Sequence, residues 1–335
     1  MSHQRIRAAV IGLGVGEQHV LSYAKIPGCE VVAICDVDEE KLKVVADRNS
    51  VATRYTDYRR ITEDTSIDVV SICTFDDDHA EQTVSALRHG QHVMVEKPLA
   101  ITKDQADAIF AAYKDSNRLI TSNLILRSSP RFRVLKQRID AGEMGELFYL
   151  EGDYIHQIEY KIVNGWRANI SFYSPIFGGG IHLIDLITWL NKSEVVEVCA
   201  MGSQKTTAPT GYRFDDTDVI LMRFADGSLA KVLVTLVPQH PKFHALRVFG
   251  TKASFVNALG DADWYTGEDP AGRQPMTAPY PAVEKGDLLP DFVQAIRTGA
   301  PMKVTVAEVF QVMEICLAAQ ESRASGQFVK PRKLI

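Results

Sequence analysis

Apolar positions in the first third of the chain follow two alternating rhythms. Short runs recur at Ile6–Ile11, Glu30–Cys35, Ile67–Cys73, His92–Val95 and Arg118–Ser122. Segments such as VVAIC and VVSIC are apolar throughout rather than at every second position, as expected of strands covered on both faces. Between them lie stretches with helical spacing, Gly16–Lys25, Glu39–Arg48, His79–Arg88 and Lys103–Ser116. Strand and helix alternating at this interval predict βαβ units and a parallel sheet with right-handed crossovers.

Past Asn123 the rhythm changes. Pro130–Ala141 predicts a helix that stops at Gly142, and long alternating segments follow at Leu147–Ile155, Val195–Met201, Val219–Phe224, Leu229–Leu236 and Ala245–Phe249. Ala225-Asp226-Gly227-Ser228 predicts a hairpin turn. Gly260–Pro281, rich in Asp, Gly and Pro, reads as a surface loop, and helices over Asp287–Arg297 and Val306–Ser325 close the chain. Strands in succession without helices between them predict a mostly antiparallel sheet with helices on one face. The expected fold class is α/β: a Rossmann-type parallel sheet over residues 1–123, then an α+β domain over 124–335.

Composition narrows the function. The 335 residues are 46% hydrophobic and 24% charged, enough for two separate cores. A net charge of −5 without a Lys/Arg block argues against a nucleic-acid or anionic-membrane partner. No apolar run approaches a membrane span. Arg5 and Arg7 precede the apolar stretch Ala8 to Leu13, but that stretch is short, glycine-broken and followed by no small-residue cleavage site, unlike a signal peptide. Five scattered cysteines without a C-x-x-C pair point to a reducing, cytoplasmic setting, with Cys35 and Cys73 as small buried hydrophobes.

The candidate chemistry begins at Gly12-Leu13-Gly14-Val15-Gly16-Glu17, between the first strand and the first helix. Glycines there allow a tight turn and close approach of backbone to a pyrophosphate on the helix N-terminus. The third glycine of the usual register falls on Glu17, and Gly16 stands one place early; a plain strand-to-helix turn is the alternative. Asp36 ends the second strand, where a carboxylate can accept hydrogen bonds from an adenosine ribose. It would also repel a 2′-phosphate, and Val37 offers no compensating charge, so NAD is favoured over NADP. The alternative role for Asp36 is to start the turn before Asp38 caps the next helix. The Thr74–His79 turn holds three aspartates that read as helix caps rather than a metal site, with Thr74 toward the cofactor.

Glu96-Lys97-Pro98 follows the fifth strand, on the sheet edge where α/β proteins bind ligands. A desolvated Lys97 ammonium there would polarise or protonate an oxygen; an exposed strand-end lysine is the alternative. In the second half, Phe177-Gly178-Gly179-Gly180-Ile181-His182-Leu183-Ile184-Asp185-Leu186 places His182 and Asp185 at i,i+3 on one helix face. The carboxylate would orient the imidazole as a general base, or the two form a buried structural pair. Tyr154, His156, Trp166 and Arg167 form an aromatic and polar mixture suited to a sugar-like ligand.

In this order, the segments resemble the Gfo/Idh/MocA family of glucose–fructose oxidoreductase and inositol dehydrogenase-like proteins. The resemblance also takes in His19, Asn123, Arg127, Pro130, Gly142, Gly145 and Gly250-Thr251-Lys252. It implies a nicotinamide cofactor, oxidation of a secondary hydroxyl on a sugar, cyclitol or related polyol, and a second domain that binds substrate and serves assembly as a homodimer or homotetramer. Lys97 and His182 match the family's catalytic lysine and histidine. Two positions depart from the pattern: Gly178 stands where an aspartate is usual, and Phe75 where proline is common. The loss at Gly178 leaves a Lys97/His182 pair with Asp185 as orienting group. It also keeps open a redox-neutral lyase or hydrolase, and more distantly a non-catalytic regulator.

The expected cofactor contacts are Gly12, Leu13, Gly14, Val15, Gly16, Asp36, Thr74, Phe75, His79, Glu96, Lys97 and Asn123. Substrate is expected on Arg127, Tyr154, Trp166, Arg167 and His182, and no metal is expected. The hydroxyl-bearing carbon would meet the nicotinamide between Lys97 and His182, one of which takes the hydroxyl proton.

Overall fold

The computed structural model describes residues 5–335, which divide into two compact units. Among the described residues, the first comprises 5–125 and 283–310 and the second 126–282 and 311–333, each with one further C-terminal residue.

Six parallel strands form the sheet of the first unit: β1 (Ile6–Ile11), β2 (Cys29–Cys35), β3 (Arg54–Tyr55), β4 (Val69–Ile72), β5 (His92–Val95) and β6 (Ile120–Ser122). Their order is β3-β2-β1-β4-β5-β6, so the winding reverses between β1 and β4, where such sheets open a ligand crevice at the strands' carboxyl ends. The crossovers are α1 (Gly16–Lys25), α2 (Glu39–Asn49), α3 (Arg59–Thr62), α4 (His79–Arg88) and α5 (Lys103–Ser116). All of β4 is buried, as the apolar run predicts for a central strand. The ladder covers less of that run than expected, although the Cys73 N–H still reaches the Ile11 carbonyl at 2.7 Å. Asp38 caps α2 by accepting from the Lys41 N–H at 3.0 Å, and Thr102 caps α5. Asp78, expected as a cap of α4, makes no side-chain cap bond. Partial desolvation followed by the neighbouring Asp77 charge raises its pKa.

The second unit opens with α6 (Pro130–Asp140) and continues through β7 (Leu147–Ile155), α7 (Glu159–Asn164) and α8 (Ile181–Asn191). The strands β8 (Val195–Ser203), β9 (Thr217–Phe224), β10 (Leu229–Thr235), β11 (Phe243–Gly250), β12 (Ser254–Asn257), β13 (Ala262–Tyr265) and β14 (Gln274–Met276) complete it. They assemble in the order β14-β13-β12-β11-β7-β10-β9-β8, antiparallel except where β10 lies parallel to β7. Along β9 burial alternates, Ile220, Met222 and Phe224 inward and Val219, Leu221 and Arg223 outward. The apolar helix α8 packs on β7, where Gly152 leaves room for Leu183. The hairpin turn stands where expected, with Gly227 at φ 88° between β9 and β10.

Two expectations need correction. Gly260–Pro281 is not simply a loop: β13 and β14 lie within it, and Trp264 is buried there. Strands of four and three residues are too short to stand out by periodicity among so many turn formers. The second is the extent of the domains. The segment 283–310, expected with the second domain, packs with the first, and α9 (Leu289–Thr298) lies in it. Arg297 donates to the Pro27 carbonyl at 2.8 Å, Ser22 Oγ to that of Gly286 at 2.9 Å, and Thr121 Oγ1 to that of Val304 at 3.0 Å. The last helix, α10 (Val306–Ser325), divides at Phe310 between the units.

Candidate functional site

In the first unit the expected cofactor residues gather at the carboxyl ends of the strands. Gly12 turns the chain at φ 84°, against the Cys73 carbonyl, where any side chain would collide. A side chain on Gly16 would meet Val10 and Cys73, whereas one on Gly14 would project into open space. The three glycines thus have separate duties: Gly12 and Gly16 fit strand to helix, and Gly14 leaves an opening. Val15 precedes α1 without any side-chain cap, so the first N–H groups of that helix remain available to an anion. These features fit a dinucleotide pyrophosphate.

Asp36 is buried, its Oδ2 accepting from the Leu13 N–H at 2.7 Å and its Oδ1 from the Asp38 N–H at 2.9 Å. One carboxylate therefore both shapes the glycine turn and starts the turn toward α2, the second of the two roles weighed from sequence. A cation also stands beside it. Lys41, one turn into α2, brings Nζ to 3.3 Å from Oδ1, a charge that Val37 alone does not predict. His79 faces a carbonyl acceptor at each ring nitrogen, Pro98 O at 2.6 Å and Thr74 O at 3.3 Å, and so ties the β4 turn to the Lys97 segment. Phe75 is exposed.

Behind Lys97 lies a buried polar network. Glu96 Oε1 accepts from Asn123 Nδ2 at 2.6 Å and faces His19 Nε2 at 3.6 Å, and the Lys97 N–H reaches Oε2 at 3.3 Å. His19 Nδ1 meets Ser71 Oγ at 3.0 Å, and Asn123 also donates to the Lys285 carbonyl at 2.8 Å. Burial alone would raise the Glu96 pKa, but the Lys285 charge, His19 and Lys97 hold it well below the usual carboxylate range. A fixed anion thus underlies the strand end that carries Lys97. Asn123 Oδ1 is buried with no hydrogen-bond partner among the described residues, an acceptor left for a bound group. Lys285 lies far along the chain and no spacing rule predicts it.

The second unit holds the other set. A π-helical turn over Ile176–Gly180 runs into α8 and delivers His182, buried, in its first turn. The Tyr154 ring packs on Gly179, where a side chain would displace it, and stacks on the imidazole at 6.2 Å with an interplanar angle of 18°. Tyr154 Oη bonds His156 Nδ1 at 3.2 Å. Burial raises the Tyr154 pKa to about 12, and it lowers that of His156 to about 4, aided by Lys242, Lys161 and Arg167. His244, edge-on to Tyr154, bonds Tyr280 Oη at 2.7 Å. Neither residue is evident from sequence, since a lone His on a strand reads as core and Tyr280 falls in the segment read as a loop.

Asp185 and Arg127, assigned separate roles by sequence, meet each other. Arg127 Nε lies 3.0 Å and 3.1 Å from the two Asp185 oxygens and Nη2 lies 2.6 Å from Oδ1, both side chains buried. This fork anchors the helix that bears His182. Arg167 instead lies over Trp166, its guanidinium carbon 4.3 Å from the ring centroid. Beside it the Tyr173 hydroxyl fills the space off the Gly178 Cα, where a side chain at 178 would project. Among the described residues no group of three or more His, Cys, Asp or Glu comes together as a metal site requires.

Comparison with known proteins fits this division. Residues 6–124 match the family model described as an oxidoreductase family with an NAD-binding Rossmann fold, and residues 132–256 match the Gfo/Idh/MocA C-terminal domain. Myo-inositol 2-dehydrogenase of Thermotoga maritima is 24% identical, the alignment covering 98% of this chain and all of that one. Levoglucosan dehydrogenase of Pseudarthrobacter phenanthrenivorans is 26% identical over 97% and 98% of the two chains. Among solved structures, levoglucosan dehydrogenase in complex with NADH superposes with a TM-score of 0.87 at 25% identity, covering 98% of this chain and all of that one. Myo-inositol 2-dehydrogenase of Lactobacillus plantarum does so with a TM-score of 0.83 at 25% identity and the same coverage. The glycine turn, Asp36, the Glu96-Lys97-Pro98 strand end and the eight-stranded second sheet are therefore those of a Gfo/Idh/MocA oxidoreductase with an NAD-binding Rossmann domain, the family to which this chain belongs.

Proposed function

We propose that this chain is an NAD-dependent dehydrogenase that oxidises a secondary hydroxyl of a sugar, cyclitol or related polyol, with Lys97 and His182 handling the proton. The observation that carries the reading is Lys97 itself. It ends β5 on the strand edge that also bears the glycine turn and Asp36, and its backbone N–H is tied to the buried anion Glu96. Bound NAD⁺ supplies the hydride acceptor. His182 accepts the proton of the substrate hydroxyl as the carbon–hydrogen bond gives up its hydride, and the Lys97 ammonium stabilises negative charge on the oxygen. Products are a ketone, NADH and one proton. Tyr154 stacks on the imidazole, and the Arg127–Asp185 fork fixes its helix, so both act by positioning it.

Lys97→Met and His182→Ala should each lower kcat by at least about 100-fold, the usual scale for a positioned acid or base, with NAD⁺ affinity little changed. Turnover like that of the parent protein in either variant would refute its role. The outward face of the second sheet, where Met201 and Leu221 are exposed beside Val219, supports assembly of copies into a dimer or tetramer, to be measured by light scattering. No helix among the described residues is long and apolar enough to cross a membrane. Five free cysteines, three of them buried, suit a cytoplasmic setting.

A further inference from the structure

Arg167 lies in a short helical turn, Trp166–Ala168, close to the aromatic residues around His182. Its guanidinium stacks over Trp166 at 4.3 Å and approaches the Tyr173 ring at 5.6 Å. No carboxylate of the described residues lies within ion-pair distance of it, and its Nε is buried without a hydrogen-bond partner among them. The other buried or half-buried arginines of this unit are committed: Arg127 to Asp185, Arg131 to Asn257 and the Gly260 carbonyl, Arg323 to Asp215, and Arg332 to Glu314. A guanidinium that lies over aromatic rings and outside any ion pair keeps its N–H groups for a carboxylate, which it takes by two parallel hydrogen bonds.

The surroundings add positive charge. Lys161 and Lys242 act with Arg167 on His156, which is neutral near pH 7, as is Tyr154. Nearby Asp216 is occupied by the Thr206 and Thr207 N–H groups, and Asp215 by Arg323. At position 178, one helical turn before His182, there is no side chain, and the Tyr173 hydroxyl fills that space. A guanidinium outside any ion pair, its Nε without an acceptor among the described residues, and two lysines acting with it on the same imidazole favour an anionic ligand.

Building on the dehydrogenase reading above, we propose that the polyol oxidised by this chain carries a carboxylate, as aldonates and uronates do, and that Arg167 binds it. Tyr173 and Trp166 set the plane of the guanidinium and act as positioning residues.

The test compares matched pairs, D-glucuronate with D-glucose, D-galacturonate with D-galactose and D-gluconate with D-sorbitol, by NADH formation. Binding of each acid to the NAD⁺-loaded protein is measured by calorimetry in parallel. For at least one pair, kcat/KM should favour the acid by about 30-fold or more, a span set by one charge-assisted bidentate contact. Arg167→Met should abolish that preference through KM and should weaken acid binding by about 10-fold or more. Arg167→Lys, which keeps charge but not the fork, should fall between. Preference for the neutral partners, or acid binding unchanged in Arg167→Met, would overturn the proposal. Acid binding that depends on Arg167 without any NADH formation would uphold it and refute the dehydrogenase reading instead.

Discussion

Two arginines of the second unit have opposite fates. Arg127 meets Asp185, 58 positions away in sequence, and both side chains are buried. Arg167 rests on the ring of its neighbour Trp166 and has no acidic partner among the described residues. Residue type does not separate them, because the decision rests on a carboxylate that only the fold brings near. By the same logic Lys97, His182 and Asp36 are legible from strand ends and glycine spacing, whereas Lys285, Tyr173 and His244 reach their places through long-range packing. Breaking the Arg127–Asp185 fork by Arg127→Met should cost roughly 3–5 kcal/mol, because it leaves a buried carboxylate unpaired. Replacing both with apolar residues, Arg127→Met with Asp185→Leu, should restore most of that loss in urea denaturation. An Arg127→Met protein as stable as its parent would contradict the assignment of the pair as a structural anchor.

At the scale of elements, the glycine turn between β1 and α1 separates stability from binding. Gly12 is required by its backbone angle and by the Cys73 carbonyl, Gly14 by neither. Gly14→Ala should therefore keep the parent melting temperature without ligand and lose most of the upward shift produced by NAD⁺. Gly12→Ala should lower the melting temperature without ligand present. Thermal denaturation with and without NAD⁺ distinguishes these outcomes. Strand β9 contributes a pH dependence. Arg323 pairs more closely with Asp215, at 2.6 Å, than with Asp218, at 3.5 Å, and burial leads the Asp218 pKa up to about 7. The folded protein thus holds a proton there that the unfolded chain releases near pH 4. Stability from this group is full below that pH and is lost as pH rises toward 7, with a slope of up to about 1.4 kcal/mol per pH unit. Asp218→Asn should flatten that part of a stability–pH curve, and an unchanged slope would contradict the assignment. Glu96 has the opposite sign: its lowered pKa adds stability above the ordinary carboxylate range, lost on acidification.

At the scale of the whole molecule, the alternation of strand and helix reveals the parallel sheet, and the run of strands reveals the second sheet. The discontinuity of the first unit is not legible. Residues 283–310 follow the second sheet in sequence, and their helical pattern alone carries no sign of which core they join. Ser22, Pro27 and Thr121 hold that segment through single hydrogen bonds, contacts that no periodicity encodes. Because the first unit is closed by this late segment, NAD⁺ should protect residues 283–310 from hydrogen exchange together with the glycine turn. Ligand at 100 times its Kd adds about 2.7 kcal/mol to the folded state. Exchange in 283–310 that ignores NAD⁺ would separate that segment from the cofactor-binding unit.

The central claim is hydride transfer from a polyol carbon, and isotope transfer tests it most directly. Neutral and acidic sugars and inositols deuterated at their carbinol carbons are incubated with the protein and NAD⁺, and the dinucleotide is analysed by mass spectrometry. The account predicts that at least one of them yields reduced cofactor carrying a single deuterium, lost in Lys97→Met. Product formed without accumulation of labelled NADH, its deuterium restored to the sugar, would mean redox-neutral chemistry. A protein that binds NAD⁺ yet moves no deuterium from any of these compounds would contradict the account.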